Sequence, residues 1–414
     1  MHKRAFWLGL FPIILTFLVW LGWTPPALAL TEEQKLVSEV WRIVNRAYVD
    51  ETFNGRNWWK VRQRALRSPM QNREEAYETI EGMLAKLDDP FTRLLRPDRY
   101  RNLQVNTSGE LTGVGLQIAI DVETKQLKAI APIAGAPADI AGIQPGDAIL
   151  EIDGVATKSL TLDEAAGRMR GPAGTEVKLT IERFEGGSIE DIVLVRDRIA
   201  LNPVTADLRT VEDAPDMQIG YIRLTQFSAN AAEEMAQSIE SLDAQGADAF
   251  VLDLRNNPGG LLQTGIEIAR LWLNDSTIVY TVNRQAILDS FDAGHEALTD
   301  APLVVLVNQG TASASEILAG ALQDNGRAQL VGERTFGKGL IQSLFDLSDD
   351  SGLAVTVAKY ETPNHKDINK LGIMPDYVVK QNPVRRDEVG TEIDRPYQTA
   401  VELLTESGVV AKAG

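Results

Sequence analysis

A lysine flanked by glycines stands in the stretch GERTFGKGL, residues 332–340. From Gly332 to Lys338 this stretch fits the glycine-rich loop that cradles nucleotide phosphates. That loop next needs a Ser or Thr hydroxyl to hold magnesium, whereas this chain has Gly339, and strand-like sequence follows where a helix should begin. The pattern therefore disfavours phosphate binding, and Lys338 needs another explanation.

Three hydroxyl side chains follow one another in NQGTASASEILAGAL, where a buried strand turns into a helix. A hydroxyl at such a turn can be exposed, and the N-terminus of the helix favours developing negative charge. Most Ser and Thr residues at these junctions are only N-caps, however, and Thr311, Ser313 and Ser315 all compete for that role. Position alone therefore does not select a nucleophile.

A serine nucleophile also needs a base, and the usual partner is scarce in this chain. Its three histidines are His2, His295 and His365. None of them stands in a recognisable motif, and there is no Gly-x-Ser-x-Gly elbow. The absence of cysteine excludes thiol nucleophiles, thiolate metal sites and disulfides. Lysine is the remaining candidate.

Lys338 can serve as a base if it is neutral, which requires its pKa to fall from about 10.4 towards roughly 7–8 by burial. Its apolar neighbours favour burial, and its flanking glycines let other backbone come close: Phe336, Gly337, Gly339, Leu340 and Ile341. If residues 338–345 form a strand, Gln342 shares a face with Lys338 and can orient its amine. The alternative is an exposed lysine in a turn, the commoner fate of a single Lys-Gly.

The elements that must position these residues follow from hydrophobic periodicity. Residues 31–49 and 73–87 have helical spacing, and the second carries one apolar stripe. A linker is expected near 186–200. From about residue 217 strands and helices alternate, and the strands 248–254 and 301–308 are almost continuously apolar. Such strands predict an α/β sheet covered by helices on both faces. A last helix is expected over roughly 394–407.

The region from 110 to 185 has short β runs punctuated by Gly and Pro, with one helix over 161–170. Gly113-Val114-Gly115-Leu116 lets successive backbone N–H groups point into one concavity, which suits a terminal carboxylate. This loop and GIQPGDAILEIDGVA at 142–156 resemble a PDZ domain. The resemblance implies an extended peptide adding beside 115–120, with its last side chain near the 161–170 helix. A PDZ fold used only for packing is the alternative.

Composition and charge narrow the classes of partner. The 414-residue chain has a formal net charge of −17, which argues against nucleic acid and against docking on anionic lipid, because both need clustered Lys and Arg. The N-terminus has a basic start, an apolar run over 5–23 and small residues in Ala27-Leu28-Ala29. We expect an export signal that is cleaved after Ala29, and the alternative is an uncleaved membrane anchor. Membrane association is accordingly expected to be peripheral at most, or to occur through this segment if it stays uncleaved.

Five segments together resemble one family. LDDPFTRLL, the PDZ unit, DLRNNPGGLL, GTASASEILAGAL and TFGKGLIQ occur in one order over roughly 31–380, and the chain is similar to the carboxyl-terminal processing peptidases, tail-specific serine proteases with a Ser-Lys dyad. The resemblance implies Ser313 as the nucleophile, Lys338 as the base and Gln342 as its supporting residue. It also implies an oxyanion hole from the backbone N–H groups of Gly259 and Ala314.

The resemblance further implies a ClpP/crotonase-like α/β core with an inserted PDZ domain and an N-terminal helical region. Ser315 is then structural, and no metal or other cofactor is needed. One departure is Asn364-His365-Lys366 after Pro363, where many relatives have glycine. It touches no catalytic position, so only the conformation of that loop differs from expectation.

The domain boundaries expected on this basis are a signal peptide over 1–29, a helical region over 30–95, a PDZ domain over 96–185, the protease core over 186–380 and a tail with a helix over 381–414. The chain looks most similar to the photosynthetic branch, which matures the D1 protein of photosystem II. That implies C-terminal protein tails as substrates, the D1 precursor among them, and a thylakoid-lumen or periplasmic location. A periplasmic quality-control protease and a non-catalytic PDZ scaffold are the alternatives.

Overall fold

The computed structural model describes residues 30–121, 124–184, 187–211, 214–285, 288–380 and 388–413. The signal peptide expected over 1–29 and residues 381–387 of the expected tail lie outside the described residues. The chain divides into two compact units, one ending at Arg96 and including Leu344–Val355, the other comprising Pro97–Ser343 and the chain from Thr356 onward. In the part of the chain described, no helix is long and apolar enough to cross a membrane.

The first unit is mainly helical. Its elements are α1 Glu32–Ala47, α2 Trp58–Arg67, α3 Arg73–Leu84, a 3₁₀ turn Ala85–Leu87 and the short strand β1 Arg93–Leu95. Each helix begins at a residue whose side chain accepts a hydrogen bond from the third helical N–H: Thr31, Asn57 and Asn72. The helices pack through their apolar stripes, which in α1 comprise Leu36, Val37, Val40 and Val44.

Residues 344–355 belong to this unit, although the sequence placed them in the protease core. Two contacts explain the difference. Strand β1 pairs antiparallel with residues 352–354, and the Tyr77 hydroxyl donates to Asp349 Oδ2 at 2.8 Å.

The second unit holds the remaining elements, with β17 and β18 having residues in both units. In chain order they are α4 Pro97–Ser108, β2 Glu110–Gly113, β3 Leu116–Ile120, β4 Leu127–Pro132, α5 Pro137–Ile140, β5 Ala148–Ile152, β6 Val155–Ala156, a 3₁₀ turn Thr157–Ser159, α6 Leu162–Met169, β7 Glu176–Glu182, β8 Ile189–Val195, β9 Asp197–Ala200, β10 Val204–Val211, β11 Ala214–Leu224, α7 Ala231–Ala244, β12 Ala249–Asp253, α8 Leu262–Arg270, β13 Thr277–Asn283, β14 Leu288–Asp292, β15 Leu303–Val307, α9 Ala314–Asp324, β16 Gln329–Gly332, β17 Leu340–Asp346, β18 Gly352–Glu361, β19 Tyr377–Val378 and α10 Arg395–Ala413.

The core of this unit is a six-stranded sheet in the order β10-β11-β12-β15-β16-β19. From β11 to β19 neighbouring strands are parallel, and β10 is antiparallel to β11. Every residue of β12 and β15 is buried. Helices α7, α8 and α9 contribute to the core on one face, and α10 covers the other through Tyr397, Ala400 and Leu404. The prediction of a sheet covered on both faces is therefore confirmed.

The parallel sheet explains why the three segments singled out above meet. The loops after β12, β15 and β16 all leave the sheet at the carboxyl ends of neighbouring parallel strands, and these ends lie at one edge. DLRNNPGG, NQGTAS and GERTFGKG occupy these three loops.

A second sheet, in the order β3-β4-β5-β7-β8, forms the region expected to be a PDZ domain. It encloses its own apolar core, which includes Val114, Ile149, Ile152, Leu179 and Ile181. The sequence placed a linker near 186–200, and this is wrong. Residues 189–195 are strand β8, which pairs along its whole length with β7, and residues 197–200 are strand β9, which pairs with β2.

Candidate active site

Ser313 stands at the turn from strand β15 into helix α9, at the N-cap position. Its backbone has φ 60° and ψ −118°, whereas an ordinary N-cap is extended with negative φ. A non-glycine residue with positive φ is uncommon, and backbone strain of this kind concentrates at functional sites. The side chain is half-buried, so the turn presents the hydroxyl at the surface of the core.

The two neighbouring hydroxyls have structural partners. Thr311 is buried and donates to Leu254 O at 2.8 Å, tying the loop after β15 to the end of β12. Ser315 is buried and donates to Asn257 O at 3.0 Å. Of the three candidates, Ser313 is the one whose side chain is not buried, which agrees with the structural role expected for Ser315.

The buried carboxylate of Glu316 joins the serine turn to the lysine loop. Its Oε2 accepts from the backbone N–H groups of both Ser313 and Lys338, each at 2.9 Å. Its Oε1 accepts from Gly337 N–H at 2.7 Å and from the Thr335 hydroxyl at 2.5 Å. One side chain thus holds the serine turn and the lysine loop together. The backbone N–H groups of the expected nucleophile and the expected base donate to the same oxygen atom.

Tyr360 makes a second link between the same segments. Its hydroxyl donates to Ser313 O at 3.2 Å, and its backbone N–H donates to Gly339 O at 3.1 Å. Burial, with the nearby carboxylates of Glu316 and Asp367, raises the pKa of Tyr360 well above its ordinary value. The phenol therefore stays protonated and remains a donor to the serine turn.

The glycines beside Lys338 are required by close approach of other backbone, as expected. A Cβ at Gly337 would lie 2.9 Å from Gly372 N, and one at Gly339 would lie 2.7 Å from Asn369 N. Strand β17 begins at Leu340, so the half-buried Lys338 lies just before the strand rather than within it. Because Lys338 is outside β17, this strand does not place Lys338 and Gln342 on one face, as the sequence had led us to expect.

Gln342 lies in β17, and its Nε2 atom is buried without a hydrogen-bond partner among the described residues. A buried amide donor left unpaired costs about 1–3 kcal/mol, so this atom is available for an acceptor. The role of Gln342 in orienting the Lys338 amine remains a prediction.

Gly259 lies directly against the serine turn. Its φ is 94°, and a Cβ added there would lie 2.6 Å from Ala312 O and 2.9 Å from both Ala314 N and Ser313 Cβ. Only glycine fits at this position, because a Cβ would clash with the atoms of the serine turn. The glycine turn thus lies against the backbone of Ala314. The oxyanion hole formed by the N–H groups of Gly259 and Ala314 remains a prediction.

Asn257, which is fully buried, holds the glycine turn in place. Its Oδ1 accepts from Gly259 N–H at 2.9 Å, its Nδ2 donates to Leu224 O at 2.9 Å, and its backbone oxygen accepts from Ala312 N–H at 3.0 Å. The Gly259 N–H is thus engaged by the Asn257 side chain. Binding of an oxyanion by this N–H requires it to leave or to share that acceptor.

A buried ionic cluster stands behind the glycine turn. Arg255 donates to both oxygens of Asp253 and, at 2.7 and 2.9 Å, to both oxygens of Asp394. Burial alone would raise the pKa of Asp253, but the hydrogen bonds and charge of Arg255, with help from Tyr221 and Arg223, hold it below its ordinary value. Asp394 immediately precedes α10, so the cluster ties the last helix to the loop that carries Gly259.

The loop expected to receive a peptide carboxylate lies between β2 and β3. Strand β3 is at the edge of its sheet and pairs only with β4 among the described strands, and α6 packs beside it. Val114 is buried in the domain core, so its side chain faces inwards. Gly115 has φ 69°, and a Cβ there would lie 2.3 Å from Ala136 Cβ. The peptide-binding roles of Gly113, Val114, Gly115 and Leu116 remain predictions.

Sequence reasoning missed several residues that organise this site: Asn257, Arg255, Asp394, Glu316 and Tyr360. Glu316 had a local signal, since Ser followed three residues later by Glu at the start of an apolar helix is a capping-box pattern. The others are joined by contacts between residues far apart in the chain, which carry no local signal.

Two protein-family models match this chain. Peptidase family S41 matches residues 218–379, and a PDZ domain matches residues 130–183. A carboxyl-terminal-processing protease of Synechocystis sp. is 60% identical over 410 residues, covering 99% of this chain and 96% of that protein. The chloroplastic carboxyl-terminal-processing peptidase 2 of Arabidopsis thaliana is 48% identical over 374 residues, covering 88% and 72%.

A solved structure with similar architecture is that of a photosystem II D1 C-terminal processing protease. It has a TM-score of 0.57 and 41% identity, and the match covers 88% of this chain and 99% of that one. The chain therefore belongs to peptidase family S41, and within it to the carboxyl-terminal processing proteases, which are serine-type hydrolases carrying a PDZ domain.

Proposed function

We propose that Ser313 is the nucleophile of this protease and that Lys338 is its general base. The observation that carries this assignment is the shared carboxylate of Glu316, whose Oε2 accepts from the backbone N–H of both residues. The strained backbone of Ser313 and the buried hydroxyls of Thr311 and Ser315 support the choice among the three hydroxyl residues.

In the proposed mechanism the neutral Lys338 amine takes the proton of the Ser313 hydroxyl while the oxygen attacks the peptide carbonyl carbon. The tetrahedral oxyanion binds the N–H groups of Gly259 and Ala314, an interaction of the kind worth about 3–4 kcal/mol per donor. Lys338 then protonates the departing amine, and the C–N bond breaks to leave an acyl-enzyme. Water attacks this ester, again losing a proton to Lys338, and Ser313 is restored when it takes that proton back.

The substrate is proposed to be the C-terminal tail of a protein, held by the PDZ domain. A tail adding as a strand beside β3 would place its carboxylate at the loop 113–116 and its last side chain near α6. The free edge of β3 and the position of α6 support this arrangement.

The physiological substrate is proposed to be the precursor of the photosystem II D1 protein, in the thylakoid lumen. The support is the 41% identity to a D1 C-terminal processing protease over 88% of this chain, together with the chloroplastic relatives. The alternative remains a tail-specific protease of the periplasm that acts on many proteins.

The dyad is tested with Ser313→Ala and Lys338→Ala against a peptide that has a free apolar C-terminus. Both variants should lose cleavage by at least about a thousandfold, because triad and dyad members act as a unit. Lys86→Ala removes an exposed lysine of the first unit and should cleave at the wild-type rate. Cleavage at the wild-type rate by either dyad variant would refute the assignment.

The substrate is tested by mass spectrometry of protein tails in the thylakoid lumen. The D1 precursor should lose its extension with wild type and keep it with Ser313→Ala. If many unrelated tails are cut and the D1 precursor is not, the proposed substrate is wrong while the dyad stands.

A further inference from the structure

Helix α2 of the first unit carries four cations and no carboxylate in the ten residues WWKVRQRALR. The cations are Lys60, Arg62, Arg64 and Arg67. None of the four has a carboxylate partner among the described residues. This concentration is unusual in a chain whose net charge is −17. Because charges separated by more than about 8 Å are screened at physiological salt, the local patch rather than the distant net charge governs what approaches this helix.

The cationic side of α2 is also its exposed side. Trp58 and Ala65 face the core, whereas Lys60, Arg64 and Arg67 are exposed. Trp59, at 53% exposure, lies at the border of that side. An exposed indole beside a row of cations is typical of a helix that lies on a membrane surface, where the ring sits at the level of the headgroups.

The aromatic border is held rigidly. Trp41 and Trp59 pack edge to face with ring centroids 5.6 Å apart, and the Arg62 guanidinium lies 5.2 Å from the centroid of each ring. The indole N–H of Trp41 donates to Trp58 O at 3.0 Å, and that of Trp58 donates to Trp41 O at 3.3 Å. Trp59 is therefore exposed because it is fixed there, and not because the helix is loosely packed.

A groove beside this border has unmet hydrogen-bonding capacity. It has a volume of about 510 Å³ and is lined by Leu30, Lys35, Ser38, Glu39, Trp41, Arg42, Arg62 and Ser348. The Glu39 carboxylate in this lining already accepts from the Ser348 hydroxyl at 2.7 Å and from the Ser348 N–H at 3.4 Å. Within the described residues, Ser38 Oγ and Arg62 Nε are buried atoms with no hydrogen-bond partner. A hydroxyl and a guanidinium N–H left unpaired in one groove are the donors that an anionic oxygen would satisfy.

We propose that this face, comprising the exposed side of α2 and the groove of Ser38, Trp41, Arg42 and Arg62, docks the protease on the surface of an anionic membrane. The groove takes one anionic lipid headgroup, the cations of α2 meet the surrounding headgroups, and Trp59 enters the interface. An acidic polypeptide would satisfy the cations but would leave the exposed indole without a role, so the lipid surface is the better fit. The inference is independent of the catalytic assignment.

Sedimentation with lipid vesicles tests the proposal, using the chain from Leu30 onward so that the apolar leader cannot insert. The protein should bind vesicles of equal parts phosphatidylcholine and phosphatidylglycerol, bind less at high salt, and not bind phosphatidylcholine alone. Lys60→Gln/Arg64→Gln should weaken binding by about tenfold or more. Lys86→Gln/Arg93→Gln makes the same change of charge with exposed residues of the same unit and should leave binding unchanged.

Three further arms separate the alternatives. Trp59→Phe should remove most of the fluorescence blue shift on binding to anionic vesicles while cleavage of a soluble peptide stays unchanged. Binding to polyglutamate but not to vesicles would overturn the proposal in favour of an acidic protein partner. If millimolar glycerol phosphate fully displaced the protein from vesicles, the site would bind a soluble anion and the proposed membrane surface would be wrong. Equal loss in the test and control pairs, or no vesicle binding at all, would also overturn it.

Discussion

At Gly259 the available space and the backbone angle both demand glycine. The residue has φ 94°, and a methyl group there would lie 2.9 Å from Ser313 Cβ and from Ala314 N. We expect Gly259→Ala to lower kcat by about 10²–10³, because the methyl group displaces the turn from the oxyanion. Gly246→Ala is the matched control, since Gly246 also has φ 94° but no atom within 4 Å of the added Cβ. Equal loss of activity in the two variants would contradict a site-specific effect.

The Glu316 carboxylate accepts four hydrogen bonds from described residues. Replacing it with an amide, which has one donor end, therefore tests what these contacts contribute. In Glu316→Gln the NH₂ group must face at least one backbone N–H, from Gly337 or from Ser313 and Lys338. Leaving a buried donor unpaired costs about 1–3 kcal/mol, so we expect a lower Tm and a lower kcat.

The control for Glu316 is Glu164→Gln, because Glu164 occupies the same position in helix α6. Its carboxylate accepts from Thr161 N–H and the Thr161 hydroxyl in an exposed capping box. Water can replace these contacts, so Tm and kcat should change little. An unchanged kcat in Glu316→Gln would show that the link between serine and lysine segments is not needed for catalysis.

Among the secondary-structure elements, the strands and helices with strong hydrophobic periodicity could be predicted from the sequence. The buried strands β12 and β15 and helices α7 and α9 follow from apolar runs and helical spacing. Helix α2 lies within the helical region expected over 30–95, but its own bounds were not predicted, because four cations interrupt its apolar residues. A strand over 338–345 was considered, but its pairing with β18 and the pairing of β18 with β1 were not predicted, because β1 lies far away in the chain. The inward side chain of Val114 likewise depends on packing that no local pattern reports.

The last helix is fastened to the active-site edge by one buried ion pair. Asp394 and Arg255 are both buried and make two hydrogen bonds to each other. We expect Asp394→Asn to destabilise the protein by about 1–3 kcal/mol, because Asp253 still compensates the Arg255 charge but the new amide NH₂ faces an Arg255 N–H and leaves a buried donor unpaired. Thermal unfolding measures the loss. Glu402→Gln removes an exposed charge from the same helix and should be neutral; an equally stable Asp394→Asn would contradict the role of the pair.

The buried carboxylate of Asp253 predicts that the stability of the whole folded protein falls in acid. Its folded-state pKa lies below the ordinary value of about 3.9, so its ionised form stabilises the folded state above that value. The contribution is lost as the pH falls through the folded-state pKa. We expect the urea midpoint to be level from about pH 7 to pH 5 and to fall below about pH 3.9. A midpoint that stayed constant to lower pH would contradict this.

Recognition of a free C-terminus requires the PDZ domain and the core to act on one substrate chain, and this can be tested by changing the substrate alone. Amidation of the terminal carboxylate removes its negative charge and one acceptor oxygen. A charge-assisted hydrogen bond contributes about 1.5–3 kcal/mol, so kcat/KM should fall by about tenfold to a hundredfold. The value of kcat at saturation should be retained, because the scissile bond and the groups around Ser313 are unchanged. A peptide carrying an uncharged substitution upstream of the terminus, equal in size and cut at the same bond, is the control. If amidation leaves kcat/KM unchanged, the tail is recognised through its side chains, and the loop at 113–116 is not a carboxylate receptor.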